Sequence, residues 1–126
     1  MSHDQVGGPI EDRARALADL VSLNLPVGEA IDSLRRFPWD TERWLVILQT
    51  EDARRVLAAY LAGQLAADEI ELWANAIEGR DDIGFEAGRE TELKDFVFEL
   101  ANPELTQNIS GERAKFWQRR LSSVCQ

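Results

Sequence analysis

The apolar residues of this chain recur at spacings of three and four in six separate stretches, and proline, glycine or an Asn-Pro pair closes five of them. A side chain on one stripe every 3.6 residues is what an amphipathic helix requires; strict alternation, the mark of a half-buried strand, is almost absent. In the first stretch, residues 11–24, Ala14, Leu17, Ala18 and Val21 line one face and Leu20 widens it. Pro26 stops this helix and opens the next, residues 27–36, where its missing N–H does little harm. Val27, Ala30, Ile31 and Leu34 form the second stripe, and Pro38 ends it.

Thr50 is the expected N-cap of a third helix, with Glu51 and Asp52 at the positive end of its dipole. Ala53, Val56, Leu57, Tyr60 and Leu61 face inward there, and Gly63 takes the left-handed terminal position. Ile70, Trp73, Ala74 and Ile77 make the stripe of a fourth helix that Gly79 closes, and the short link between the two predicts an antiparallel helical hairpin. A fifth helix, residues 89–101, buries Leu93, Phe96, Val97 and Leu100 before Asn102 and Pro103 end it. Ser110 caps a sixth, residues 111–122, with Ala114, Trp117 and Leu121 inward.

One segment breaks the pattern. "WLVIL" at 44–48 is five consecutive apolar residues, and periodicity cannot decide between a short buried strand and an extended core segment. Its one possible pairing partner is 83–85, and a two-stranded ribbon is marginal unless helices cover it. The expected architecture is therefore all-α: a compact bundle of five to six helices in a single domain over residues 1–126, with at most that small β appendage and a disordered tail at 1–9.

Charge then narrows the function. Residues 66–104 hold twelve carboxylates against three cations, and the flanking segments cancel, so the whole net charge of −9 is the charge of this one segment. Such a field repels nucleic acid and anionic membrane and attracts a basic protein. No run approaches the roughly 20 apolar residues of a membrane helix. The start of the chain lacks the cationic and apolar regions of a secretory signal, and the one cysteine, Cys125, has no partner for a disulfide, which together predict the cytoplasm. Arg113, Lys115, Arg119 and Arg120 make the last helix cationic, and an intramolecular clamp onto the acidic segment is the expected use. Trp39, Trp44, Phe98 and Phe116 fall off or beside the inward stripes. Neighbouring segments are expected to cover them, and any left exposed beside acids would anchor an interface.

Catalytic chemistry finds little support. The only histidine is His3, so neither a Ser-His-Asp nor a Cys-His set can be assembled, and the common zinc sites are absent with it. The acidic loop at 79–86 lacks the alternating ligands and central glycine of an EF-hand. No catalytic residue, metal ligand or cofactor is assigned. Glu78 with Asp81 and Glu92 with Asp95 are E-x-x-D pairs, and two such pairs on facing helices could hold magnesium. This arrangement resembles the metal site of the all-helical nucleoside triphosphate pyrophosphatases of the MazG type, and over those four positions it implies a magnesium-dependent phosphohydrolase as the alternative function.

The run "YLAGQLAADEI" at 60–70 looks like a turn of the small helical bacterial immunity proteins that neutralise nuclease toxins, including the colicin D type. In those an aromatic-leucine-x-glycine helix end leads through an apolar residue into a second, acidic helix. The resemblance spans the hairpin alone and implies a non-enzymatic inhibitor of a basic partner. The residues expected to contact that partner are Glu69, Glu71, Glu78, Asp81, Asp82, Glu86, Glu92, Asp95 and Glu99. Reversing Glu71, Asp81 and Asp82 to lysine is the corresponding test. A structural or regulatory helical domain whose acids serve solubility accounts for the same sequence.

Overall fold

The computed structural model describes residues 8–35, 37 and 44–122. Among these the chain forms, in order, α1 (Gly8–Val21), α2 (Val27–Leu34), β1 (Val46–Leu48), α3 (Thr50–Leu61), α4 (Ala67–Glu78), β2 (Ile83–Phe85), α5 (Glu90–Ala101) and α6 (Gly111–Ser122). The expected helices are all present. Residues 1–7 of the expected tail lie outside the described residues, as do Pro38, Trp39 and Cys125, whereas its last two residues, Gly8 and Pro9, are not a tail but the start of α1.

The undecided segment is a strand. β1 pairs with β2 in parallel, with Val46 opposite Ile83, Ile47 opposite Gly84 and Leu48 opposite Phe85. Parallel strands need a long crossover, which α3 and α4 supply. A three-residue ribbon survives because α1 packs on β1 and α5 on β2. Gly84 has a steric reason to be glycine: a Cβ there would overlap the Trp44 indole, which lies against the backbone of β2.

Local chemistry sets the helix ends. Gly63 adopts φ +80° after α3, its N–H donating to the Tyr60 carbonyl (3.0 Å) and the Gln64 N–H to that of Ala59 (2.8 Å). This is the Schellman arrangement, which favours a residue without a Cβ. The same hydrogen bonds end α1, Leu23 to Leu20 (3.3 Å) and Asn24 to Asp19 (2.9 Å), but there the left-handed residue is Leu23 at φ +58°. That conformation costs a leucine about 1–2 kcal/mol, offset by its packing against the core. Ser110 caps α6 as expected, accepting from the Arg113 N–H at 3.1 Å. Thr50 does not cap α3. It is the first helical residue, and the Asp52 carboxylate instead reaches back to accept from the Gln49 N–H at 2.9 Å.

One buried cluster joins the elements. The inward stripes of α4, α5 and α6 are buried as read. In α1 the stripe is turned: Ala16, Leu17, Leu20 and Val21 are buried, whereas Ala14 and Ala18 are half-buried. Leu61, expected inside, is exposed at the end of α3. At the centre Trp73 meets Phe96 edge-on at 6.3 Å, and Phe96 meets Trp117 at 5.4 Å, so an aromatic chain ties α4, α5 and α6 together.

Candidate functional site

The acidic segment divides into carboxylates that hold the fold and carboxylates that face outward. Asp82 belongs wholly to the first group. It has no solvent exposure; one carboxylate oxygen accepts from Arg13 Nε of α1 and the other from Arg80 Nε, both at 2.9 Å. Its own backbone carbonyl accepts the Leu45 and Val46 N–H groups at 2.8 and 3.2 Å, so one residue ties α1, the end of α4 and β1 together.

Glu99 is the second internal anion. Arg113 of α6 donates to both its oxygens, at 2.6 and 3.0 Å, and the Trp117 indole N–H adds a third hydrogen bond at 3.1 Å. Bidentate geometry in a mostly dry site makes this a strong contact. The hydrogen bond to Glu99 raises the Arg113 guanidinium above the ordinary arginine range, against the lowering effect of burial and with the coulombic attraction of Glu99. A raised cationic pKa gives a contribution that is complete below the ordinary arginine value and is lost only above it, so Arg113 introduces no pH dependence in the neutral range. Beside this pair, Glu92 binds Arg89 at 2.6 Å and Arg120 at 3.9 Å, and Arg89 also donates to the Leu121 carbonyl at 3.2 Å. Arg113 and Arg120 thus clamp the last helix onto α5, whereas Lys115 and Arg119 are exposed and make no ion pair with a described residue. Glu99→Gln is expected to lower stability by about 2 kcal/mol, because a charged, bidentate acceptor is replaced by a neutral one while the shape is kept. Urea denaturation checks this, and a midpoint equal to that of the unmodified protein would show the clamp to be inert.

These contacts correct the sequence-derived surface. Asp82 and Glu99 are buried and withdrawn from it, since neither can reach a partner without breaking its arginine pairs. Glu92 is half-buried and paired. Glu86 and Glu69 are half-buried acceptors for backbone N–H groups, of Thr50 at 2.7 Å and Ala66 at 2.9 Å. Glu71, Glu78, Asp81 and Asp95, together with Asp68 and Glu104, have no ion pair with any described residue. All but the half-buried Glu71 are exposed.

Two aromatics expected to be covered are not. Trp44 is 60% exposed beside Gly84, and Phe98 is 44% exposed on α5. Phe116 is half-buried, with the Arg113 guanidinium 4.1 Å from its ring centre. Around Phe98 the chain is tightly braced: the Asn102 side-chain amide donates to the Phe98 carbonyl (3.0 Å) and to the Glu78 carboxylate (3.1 Å). The Leu105 N–H donates to the Asn102 carbonyl at 3.0 Å, which fixes the backbone there, and the Leu105 side chain is 74% exposed. Leu105 and Asn102 were not among the expected contact residues; an apolar residue in a polar linker just beyond Asn102-Pro103 was the signal available.

The magnesium arrangement does not assemble. α4 ends at Glu78, so Asp81 lies beyond the helix, and Glu92 is occupied by arginines. Among the described residues no group of three or more His, Cys, Asp or Glu is placed to hold a metal. Among the open grooves, one of about 590 Å³ lies between the start of α3 and α6, where Glu86 already fills the helix N-terminus, and another of about 640 Å³ runs along Leu23, Leu25, Ala59 and Leu65. No described helix is long and apolar enough to cross a membrane. Compared with known protein families, curated proteins and solved structures, the chain matches none.

Proposed function

We propose that the protein is a non-enzymatic, acidic protein-binding domain acting in the cytoplasm, an immunity or antitoxin-like inhibitor that covers a basic site on its target, such as the nucleic-acid-binding surface of a nuclease toxin. The observation that carries this reading is the division of the carboxylates. The arginines of α1, α6 and the loops neutralise Asp82, Glu92 and Glu99 internally, which leaves Asp68, Glu71, Glu78, Asp81 and Asp95 to set the outward field. An exposed field of one sign accelerates encounter with a basic partner and excludes anionic ones. It is screened over about 10 Å at 0.1 M salt, so association is fast and salt-sensitive.

The test is capture from a cell lysate at low salt, followed by a salt gradient and mass spectrometry. One basic protein leaving at moderate salt is the expected result. Because Asp82 is structural, the charge-reversal variant is Glu71→Lys with Asp81→Lys and Asp95→Lys; it is expected to keep its melting temperature and weaken the partner by about 100-fold at low ionic strength. A partner held equally by this variant, or equally at low and high salt, refutes the proposal.

A further inference from the structure

We infer that the C-terminal end of α5, with Phe98 and Leu105 as apolar anchors among Glu78, Asp95 and Glu104, is the seat of a cationic amphipathic segment of the partner; this rests on the acidic-binding reading above. The apolar part of the argument is exposure with order. Phe98 is 44% and Leu105 74% exposed, yet both stand on backbone fixed by the Asn102 hydrogen bonds to Phe98, Glu78 and Leu105. A braced turn that bears an exposed leucine is preorganised for a contact, so little ordering remains for binding to supply.

Charge complementarity selects the occupant. Asp95 lies one turn before Phe98 on the same face of α5, Glu104 precedes Leu105 directly, and Glu78 is tied in through Asn102. None of the three has an ion pair with a described residue. The cation nearest in sequence, Lys94, is turned toward the Phe85 ring, 5.7 Å from its centre. A second copy of a chain of charge −9 would bring like charges together here, and nucleic acid or anionic lipid would be repelled. A segment with apolar residues on one side and Lys or Arg on the other meets both halves of the patch.

The probe is a synthetic helical peptide of leucines and lysines in amphipathic order, with a control of equal charge in which serine replaces every leucine. Both are titrated into the full chain at low salt and followed by fluorescence anisotropy and amide NMR. The leucine peptide is expected to bind at least ten-fold tighter than the control and to shift amides from Asp95 to Thr106. Phe98→Ser with Leu105→Ser, both at exposed positions, is expected to reduce it to the control affinity with unchanged melting temperature. If the advantage of the leucine peptide persists in that variant, or the shifts map to the Leu23 groove, the assignment is overturned while salt-sensitive binding keeps the acidic reading alive. If neither peptide shows salt-sensitive binding, the acidic reading itself fails. Dimerisation in sedimentation equilibrium that the double variant abolishes would make a second copy the occupant and would also overturn the assignment.

Discussion

Asp82→Ala is expected to lower the unfolding free energy by about 3–5 kcal/mol, while Asp81→Ala, one residue earlier, changes it by less than about 0.5 kcal/mol. The contrast follows from position. Asp82 is fully buried between Arg13 and Arg80, whose side chains are only 13% and 11% exposed, whereas Asp81 is exposed. Deleting one member of a buried ionic cluster is far worse than never having built it, because the cations remain in a medium that solvates them poorly. Arg13 also belongs to α1, so the loss loosens that helix from the strand pair. The Asp82 carbonyl, which receives the Leu45 and Val46 N–H groups, shares the fate of its loop. Asp82→Asn, which keeps the shape and one acceptor oxygen, should fall between the two. Urea titrations followed by circular dichroism measure all three, with an unchanged slope as the sign that stability alone has moved. Equal midpoints for the Asp81 and Asp82 variants would show the cluster to be electrostatically neutral in its effect on the fold.

The same residue marks where the sequence stops being legible. Stripes at helical spacing identified the buried faces of α4, α5 and α6, because within a helix the neighbours that decide burial are three and four residues away. Whether a carboxylate is buried depends instead on a distant partner, and Arg13 is 69 positions from Asp82. Read locally, "GRDDI" is two equivalent acids in a loop; in space one is a structural hub and the other faces water. The pairing of β1 with β2 was readable as a possibility and so was the α3–α4 hairpin between them, but the parallel direction depends on how that hairpin packs against the strands, which no local pattern encodes. The N-cap of α3 moved by one residue because a longer acid side chain two residues inside the helix could reach the free N–H of Gln49. Phe98 lies off the inward stripe and was expected to be covered by a neighbouring segment; it is 44% exposed, because whether another segment reaches it is not set by the stripe. The anchoring role of Leu105 needed the Asn102 turn, which sequence marked only as a helix stop.

Trp73→Ala is the second large loss expected, about 3–5 kcal/mol from the removed ring and the cavity left behind. Trp73 is fully buried, stands edge-on to Phe96, and sends its indole N–H 2.9 Å to the Leu20 carbonyl near the end of α1. That carbonyl also accepts the Leu23 N–H at 3.3 Å, so the indole adds a second and shorter hydrogen bond at the helix end while the ring fills the core. The two roles separate with a second variant. Trp73→Phe keeps most of the ring volume and deletes the donor, and should lose about 1–2 kcal/mol. If packing dominates, free indole should refill the Trp73→Ala cavity and raise its melting temperature in proportion to the logarithm of indole concentration, with no effect on the unmodified protein. If Trp73→Phe loses as much as Trp73→Ala and indole restores nothing, the hydrogen bond to Leu20 is what holds α4 against α1. The aromatic chain through Phe96 and Trp117 would then be a consequence of the fold and not its anchor.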